Sequence, residues 1–371
     1  MSKVTSNLKH SAPSLTGRAG GESPVGGESP AGGEPASPPS QWRRWHLPVL
    51  LLLLIGTIVI ISRRHAEAPF QKEEGAVFGT FYHVTYQADR SLKDSIEAQL
   101  HAVDASLSMF NPQSVISRIN QNVDVQTDSL FRRVFTLSQQ VSRATDGAFD
   151  ITVAPLVNAW GFGFKHDALP DSAQVDSLRA LVGWERVSLD ASGRVHKADP
   201  RMVLDCSAVA KGFGVDVVAQ YLRSHGIQNF MVEIGGEVVV SGTNPKGQSW
   251  RVGVNKPDED STSTSHELQT VLQLTDRAMA TSGNYRNFYV AGGRKLAHTI
   301  DPHTGYPVQH TLLSATVLAP TCAEADAFAT SFMVLGLERT KALLPSFPQL
   351  QVYLIYADEA GNYQTFSTIA E

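Results

Sequence analysis

The chain has 371 residues, of which 42% are hydrophobic and 18% charged, a composition typical of a globular protein with one large or two modest domains. Of its 31 Lys and Arg and 36 Asp and Glu residues, seven basic and three acidic ones precede residue 65, so the rest carries a formal charge of −9. A body this acidic, with no local basic stripe, argues against a nucleic-acid partner. The two cysteines, Cys206 and Cys322, are too few and too far apart for a zinc ribbon or a disulfide scaffold.

Residues 1–41 are poor in large apolar side chains and rich in Gly, Ser and Pro, with a six-residue repeat in GGESPV, GGESPA and GGEPAS. Such a segment cannot bury enough apolar area to offset the entropy lost on ordering. We therefore predict that 1–41 is a disordered cytoplasmic tail.

The next segment, WRRWHLPVLLLLLIGTIVIISRR, contains an uncharged run of 16 residues from Leu47 to Ser62, a little below the ~20 that span a bilayer squarely. Tryptophans precede the run and arginine pairs flank it, as at membrane interfaces. The triplet Ala66-Glu67-Ala68 allows a cleaved signal peptide as the alternative, which the long leader argues against. We predict one uncleaved transmembrane anchor over 42–64, with 65–371 outside the cytoplasm.

The body mixes strand and helix patterns. Alternation in FGTFYHVTYQ from Phe78 predicts a strand, and apolar residues at helical spacing predict helices over 92–107 and 130–144. VLDCSAVAKGFGVDVVAQYLRSHG reads as a strand, a turn and a helix ended by Gly226. Several further strands and a closing hairpin, LQVYLIYAD with NYQTFST, follow without a strict βαβ rhythm. We therefore predict an α+β fold with mixed, largely antiparallel sheets and packed helices.

The stretch over 298–336 carries the strongest signal of chemistry: a turn with His and Asp, an apolar run, and a predicted helix from Thr321. Asp326 and Thr330 lie four residues apart, so they share one helical face. Both offer hard oxygen atoms, which Mg²⁺ prefers. The alternative is that Asp326 is only an acid favoured by the dipole of the first helical turn.

Generic fingerprints are missing. The sequence contains no Walker pattern, no dinucleotide-binding glycine triplet and no Gly-x-Ser-x-Gly elbow. A zinc site built from His298, His303 and His310 is a further alternative, but these residues straddle a turn and a predicted strand and do not share a helical face.

Eight motifs in order carry a family resemblance: GTFYHVTY, SMFNPQSVISRIN, TDGAFDITVAPLVNAWGFG, LDCSAVAKGFGVD, VEIGGEV, ATSGNYRNFY, HTIDPHTGYP and EADAFATSFMVLG. Over roughly 75–365 the chain resembles the FAD:protein FMN transferase family, earlier described as thiamine-biosynthesis lipoproteins. The resemblance implies an enzyme that cleaves the pyrophosphate of FAD and attaches the FMN half to a Ser or Thr hydroxyl of an acceptor protein. Residues 65–371 would then be its catalytic domain.

The resemblance also implies site residues. Mg²⁺ would be held by the Asp326 carboxylate, the Thr330 hydroxyl and the main-chain carbonyl of Ala208. FAD, the substrate, would contact eight positions: Phe78, Phe110, Ala148, Phe149, Asp150, Lys211, Ser282 and Val308. Other members often carry Met and Tyr in place of Phe78 and Phe110, so ring stacking is retained but a phenolic hydrogen bond is not.

His298 is the expected general base, because an unperturbed imidazole pKa of ~6.5 suits proton transfer from the acceptor hydroxyl. Asp301 is expected to orient His298 or its turn. A structural role for both is the alternative. If Ala208 and Asp326 share a cation, Cys206 and Cys322 lie near each other, and an extracytoplasmic location would permit a disulfide between them.

Three functions remain open at this point. The implied transferase acts on acceptor flavoproteins such as subunits of membrane redox pumps. A metal-dependent FAD pyrophosphatase would use water in place of the acceptor hydroxyl and release FMN and AMP. A membrane-tethered FAD-binding protein without turnover is the third reading.

Overall fold

A computed structural model of the chain describes residues 42–63, 68–163, 169–257, 267–284, 288–291 and 294–369. The predicted disordered tail over 1–41 lies outside the described residues. The chain divides into two compact units, Met1–His65 and Ala66–Glu371.

In the first unit the structure describes one helix, α1 (Trp42–Arg63), which contains Pro48. Across the described ranges, no helix combines the length and the apolar character that crossing a membrane requires. The predicted anchor over 42–64 is therefore not confirmed.

The second unit contains the strands and seven further α-helices of the described residues. The strands are β1 (Phe70–Val77), β2 (Thr80–Gln87), β3 (Val187–Leu189), β4 (Val195–Lys197), β5 (Phe230–Ile234), β6 (Glu237–Ser241), β7 (Trp250–Asn255), β8 (Leu268–Leu274), β9 (Arg277–Gly283), β10 (Phe288–Ala291), β11 (Arg294–Ala297), β12 (Leu312–Ala319), β13 (Gln351–Ala357) and β14 (Tyr363–Ser367). The helices are α2 (Lys93–Leu107), α3 (Val115–Asn120), α4 (Ser129–Ala144), α5 (Ala154–Ala159), α6 (Ser172–Arg179), α7 (Ser207–Ser224) and α8 (Cys322–Leu343).

One large sheet organises this unit. Its strand order is β1-β2-β5-β6-β9-β12-β13-β14, and all neighbouring pairs are antiparallel. Three two-stranded sheets, β3-β4, β7-β8 and β10-β11, accompany it. The predicted α+β class with largely antiparallel sheet is confirmed.

Helices α7 and α8 pack on each other and on the central strands β5, β6, β9 and β12. The main core lies between these helices, α2 to α4 and the sheet. Apolar side chains at helical spacing place α4 there, because Phe131, Val134 and Val141 recur on one face and are buried. Burial of each such side chain stabilises the fold by about 2 kcal/mol.

Helix α8 begins where the sequence predicts. The side chain of its N-cap residue, Thr321, accepts a hydrogen bond from the backbone N–H of Glu324 at 3.3 Å. The helical path is interrupted at Gly336, whose φ of 74° lies in the left-handed region. Near this interruption, Nε2 of His310 donates a hydrogen bond to the backbone carbonyl oxygen of Met333 at 2.7 Å.

Candidate active site

A cavity of about 470 Å³ opens between α7, α8 and the sheet. Its wall is completed by the 148–153 segment, the turn between β5 and β6, the end of β9 and the segment after β11. Nine of the residues predicted for the site line it: Ala148, Phe149, Asp150, Ala208, Lys211, Ser282, His298, Asp326 and Thr330. The structure thus brings together residues as far apart in the chain as Ala148 and Thr330.

The oxygen donors come from two antiparallel helices. Ala208 lies in the first turn of α7, and Asp326 and Thr330 lie on α8. The backbone N–H of Gly212 donates to Oδ2 of Asp326 at 3.0 Å. In a regular α-helix this N–H serves the carbonyl of the residue four positions earlier, here Ala208. A carbonyl oxygen has two lone pairs, so that of Ala208 has capacity for another partner besides the helical N–H.

The centre of the cavity holds two buried carboxyl groups and one ammonium group. Asp326 and Glu237 are each only 3% exposed, and Nζ of Lys211 lies 3.3 Å from Oε1 of Glu237. Burial raises the pKa of the Asp326 carboxyl and raises that of Glu237 to about 8. The neighbouring carboxylates, Asp326 first, hold the pKa of the Lys211 ammonium above its usual range. Two buried acidic groups thus share one ammonium, and burial disfavours their charged forms until a further cation neutralises them.

A hard divalent cation fits this donor set. The carboxylate of Asp326, the hydroxyl of Thr330 and the backbone carbonyl of Ala208 belong to residues that line one cavity, and all are oxygen donors of the kind that Mg²⁺ takes. The Thr330 hydroxyl also lies 3.2 Å from that of Ser282. The zinc alternative has no support, because the described residues contain no group of three His, Cys, Asp or Glu side chains able to hold a metal.

The 148–153 segment is held by its own carboxylate. Oδ1 of Asp150 accepts from the N–H and the hydroxyl of Thr152 at 2.7 and 2.6 Å, and Oδ2 accepts from the N–H of Trp184 at 2.9 Å. Burial raises the pKa of this carboxyl, against the effect of those donors. Phe149 is 2% exposed. Asp150 therefore fixes the wall of the cavity through its hydrogen bonds.

His298 lies half-buried on the cavity wall, with its ring 6.3 Å from that of Phe162. The turn that follows is ordered by Asp301, whose Oδ1 accepts from the N–H of His303 at 2.9 Å and lies 3.4 Å from Nδ1 of that residue. Asp301 is not among the residues that line the cavity. Its described contacts are with His303 in the same turn, and its role in orienting that turn stays a prediction.

Three predicted FAD contacts do not line the cavity: Phe78, Phe110 and Val308. Phe78 forms the turn between β1 and β2 in the left-handed region, with φ of 49°, and its ring packs over Gly214. Phe110 is 80% exposed in the loop between α2 and α3. The N–H of Val308 donates to the carbonyl of Thr299 at 3.0 Å.

Two acidic residues on the cavity wall were not predicted. Glu237 follows the Gly235-Gly236 turn of the quoted VEIGGEV motif, and its Oε2 has no hydrogen-bond partner within the described part of the chain. Asp205 precedes α7, and its Oδ1 accepts from the N–H and the hydroxyl of Ser207 at 2.7 and 2.5 Å. The only sequence signal for Glu237 and Asp205 was that each lies within one of the eight family motifs, VEIGGEV and LDCSAVAKGFGVD.

The hypothesis of a disulfide is wrong for this structure, in which Cys206 and Cys322 are both buried free thiols. Cys206 packs in the core cluster with Met202 and Leu204. The Sγ of Cys322 is instead directed to the carbonyl oxygen of Met279, at 3.5 Å. Burial raises the pKa of both thiols, so neither is activated for reaction.

The fold and the site define an α+β protein in which an acidic cavity of nucleotide size, with hard oxygen donors from paired helices, lies beside an antiparallel sheet. The sequence model of the ApbE family matches residues 78–354, so the chain belongs to the ApbE family.

Individual relatives agree with this assignment. The FAD:protein FMN transferase of Haemophilus influenzae is 38% identical over 330 residues, which cover 83% of this chain and 94% of that protein. The solved structure of the flavin transferase ApbE from Vibrio cholerae is 34% identical with a TM-score of 0.72, covering 81% of this chain and 97% of that one. The apo flavinyl transferase ApbE of Pseudomonas stutzeri also has a TM-score of 0.72, at 30% identity, and covers 82% of this chain and 96% of that one.

Proposed function

We propose that this chain is an FAD:protein FMN transferase, which moves the FMN half of FAD to a Ser or Thr hydroxyl of an acceptor protein and releases AMP. The observation that carries the proposal is the cavity itself, where His298 and the donors Ala208, Asp326 and Thr330 meet. The relatives' names supply the substrates, and the geometry supplies groups suited to them.

The pyrophosphate of FAD has suitable partners in the cavity. The Lys211 ammonium is a point charge for a phosphate oxygen, and the Gly235-Gly236 turn lets backbone approach closely. The hydroxyl of Ser282 adds a donor beside Thr330. A Mg²⁺ ion held by Asp326, Thr330 and Ala208 would neutralise charge on the phosphate oxygens.

His298 acts on the acceptor. Its imidazole takes the proton of the acceptor hydroxyl while that oxygen attacks the phosphorus of the FMN half. A new P–O bond forms as the bond to the bridging oxygen breaks, and AMP leaves with that electron pair. The turn ordered by Asp301 follows three residues later.

The test is a mass measurement. The purified chain is incubated with FAD, Mg²⁺ and candidate acceptors, including subunits of membrane redox pumps, and each acceptor is examined for the added mass of FMN in a phosphoester. An adduct on Ser or Thr with release of AMP is expected. Release of FMN and AMP at the same rate with and without acceptor would instead identify a pyrophosphatase, and bound, intact FAD would identify a binding protein.

We further propose that the segment over 42–64 tethers the catalytic body to a bacterial inner membrane, with the body in the periplasm. The support is sequence: an apolar run between Trp and Arg flanks. Alkaline carbonate extraction of membranes tests the tether, and protease treatment of intact spheroplasts tests the side. Release by carbonate, or protection from protease, would contradict it.

A further inference from the structure

Helices α7 and α8 face each other through residues spaced four apart. On α7 these are Ala208, Gly212 and Asp216, and on α8 they are Cys322, Asp326 and Thr330. This spacing keeps each set on one side of its helix. The candidate cation donors are divided between the two sets, so their convergence depends on how far one helix is shifted along the other.

Gly212 allows a close approach at the middle of this pair. A Cβ added there would overlap the carbonyl oxygen of Cys322 and lie 2.9 Å from Cβ of Asp326. Its N–H donates to Oδ2 of Asp326 at 3.0 Å. The middle of the pair therefore links α7 directly to a candidate cation ligand.

Asp216 makes the second link, one turn further along α7. Its Oδ1 accepts from the backbone N–H of Cys322 and its Oδ2 from that of Ala323, both at 2.8 Å. These are N–H groups of the first turn of α8, which have no partner within that helix. Each helix thus provides one carboxylate that accepts from the backbone of the other: Asp216 of α7 from α8, and Asp326 of α8 from α7.

The role of Asp216 is more than closing a helix end, since α8 already has a local cap in Thr321. Two bonds from one carboxylate on a neighbouring helix fix both the distance and the shift between helices, which a local cap does not. Asp216 also lies outside the cavity, on a separate surface depression with Arg133 and Phe213. It therefore acts on the site without lining it, through its hydrogen bonds to α8.

We propose that Asp216 is a positioning residue: its carboxylate sets the register of α8 against α7, so that Asp326 and Thr330 stand opposite the carbonyl of Ala208. The inference rests on the cation site of the proposed function. Loss of either hydrogen bond frees α8 to slide, and the three donors then no longer converge.

The experiment measures cation affinity without turnover. The full-length chain, as wild type, Asp216→Ala, Asp216→Asn and Asp128→Ala, is titrated with Mn²⁺ in the absence of FAD, with free Mn²⁺ followed by electron paramagnetic resonance. Asp128 is the matched control, because its carboxylate accepts from the N–H of Phe131 at 2.7 Å and caps α4. Thermal unfolding of each variant is recorded in parallel.

Asp216→Ala is expected to raise the Kd for Mn²⁺ about tenfold, as loss of residues that orient metal ligands does. Asp216→Asn keeps one acceptor oxygen and should raise it about threefold. Asp128→Ala should lower the Tm as Asp216→Ala does but leave the Kd within about twofold of wild type.

A Kd for Asp216→Ala within about twofold of wild type overturns the inference, and so does the same result for Asp216→Asn if the alanine variant does not fold. An equal loss of affinity in Asp128→Ala also overturns it, because general destabilisation would then explain the effect. Absence of saturable Mn²⁺ binding by the wild type would remove the cation site itself, and this inference with it.

Discussion

Lys211 is the only cationic side chain among the described residues that line the cavity, apart from what His298 contributes when protonated. Its ammonium forms a 3.3 Å ion pair with Glu237 and also attracts the carboxylate of Asp326 electrostatically. Removing one partner of a buried ion pair leaves an uncompensated charge, which costs more than the pair contributes.

Lys211→Met is therefore expected to lower the free energy of unfolding of the cation-free protein by about 3 kcal/mol. Glu237→Gln should cost less, because it removes a group whose charged form burial already disfavours. In the double variant the second change should restore part of the loss caused by the first. Urea unfolding of the four proteins gives the coupling energy, and strictly additive losses would contradict an interaction between the two residues.

His298→Ala should reduce FMN transfer by at least about a hundredfold, the usual contribution of a general base, while FAD still binds. Transfer is measured by mass of the acceptor and FAD binding by fluorescence quenching. Asp301→Asn is the comparison: it weakens only the order of the turn, so a smaller loss is expected. Undiminished transfer by His298→Ala would remove the assignment.

The sequence was informative about residues whose chemistry depends on local spacing. Asp326 and Thr330 could be placed on one helical face because four residues make about one turn. Glu237 and the partners of Asp150 could not be found, because a buried charge or a backbone donor from Trp184 is a property of the folded arrangement. Phe78 and Phe110 were predicted to cover the flavin, and in this structure neither lines the cavity.

At the scale of elements, α7 and α8 carry the cation donors and approach closely at Gly212. Gly212→Ala should lower the free energy of unfolding by about 2 kcal/mol and weaken Mn²⁺ binding, because the new methyl group meets backbone of α8. Gly214→Ala on the same helix is the control. Its Cβ would meet the Phe78 ring, 2.7 Å from Cε2, and a side chain can turn away.

Urea unfolding compares the two variants, which share the same gain in helix propensity of about 1 kcal/mol. Gly214→Ala should remain within about 1 kcal/mol of wild type. Equal losses in both variants would show that the approach of α7 to α8 is not limited at Gly212.

Asp216 also predicts a pH dependence of stability. Burial raises its pKa from 3.8 to about 6, against the pull of its backbone donors and of Arg133 and Arg223. The folded state thus holds this proton more tightly than the unfolded chain, so its contribution to stability is complete below pH 3.8 and is lost as pH rises through about 6. The loss is at most about 3 kcal/mol.

Asp216→Asn does not titrate in this range. Its free energy of unfolding should therefore increase relative to that of the wild type as the pH rises from about 4.5 to 7.5. Urea unfolding at several pH values measures the difference, and a difference that stays constant with pH would contradict the raised pKa.

The sequence also predicted where most elements lie, but not every interruption. The helix predicted from Thr321 onward is α8, and the one predicted to end at Gly226 is α7. The break at Gly336 was not predicted, because a single glycine is tolerated within a helical pattern. The backbone angle of Gly336 depends on tertiary contacts: the His310 ring lies so close that a Cβ added at Gly336 would be 3.1 Å from it.

At the scale of the molecule, the α+β class followed from the absence of a βαβ rhythm, but the strand order did not. β9 pairs with β6 and β12, which are far from each other in the chain. Such pairings depend on long-range packing, which local patterns do not encode. The body was also predicted to begin with a strand at Phe78, whereas the structure has β1 before it and a turn at that residue.

The position of β1 at one end of the sheet has a consequence for solubility. Among the described strands it pairs with β2 alone, so its other side presents backbone groups able to recruit a second chain. Its exposed positions carry Lys72 and Glu74, and Glu73 lies between them. Charged side chains along an edge strand disfavour its pairing with a second chain, so Lys72, Glu73 and Glu74 are expected to keep this edge from recruiting further copies.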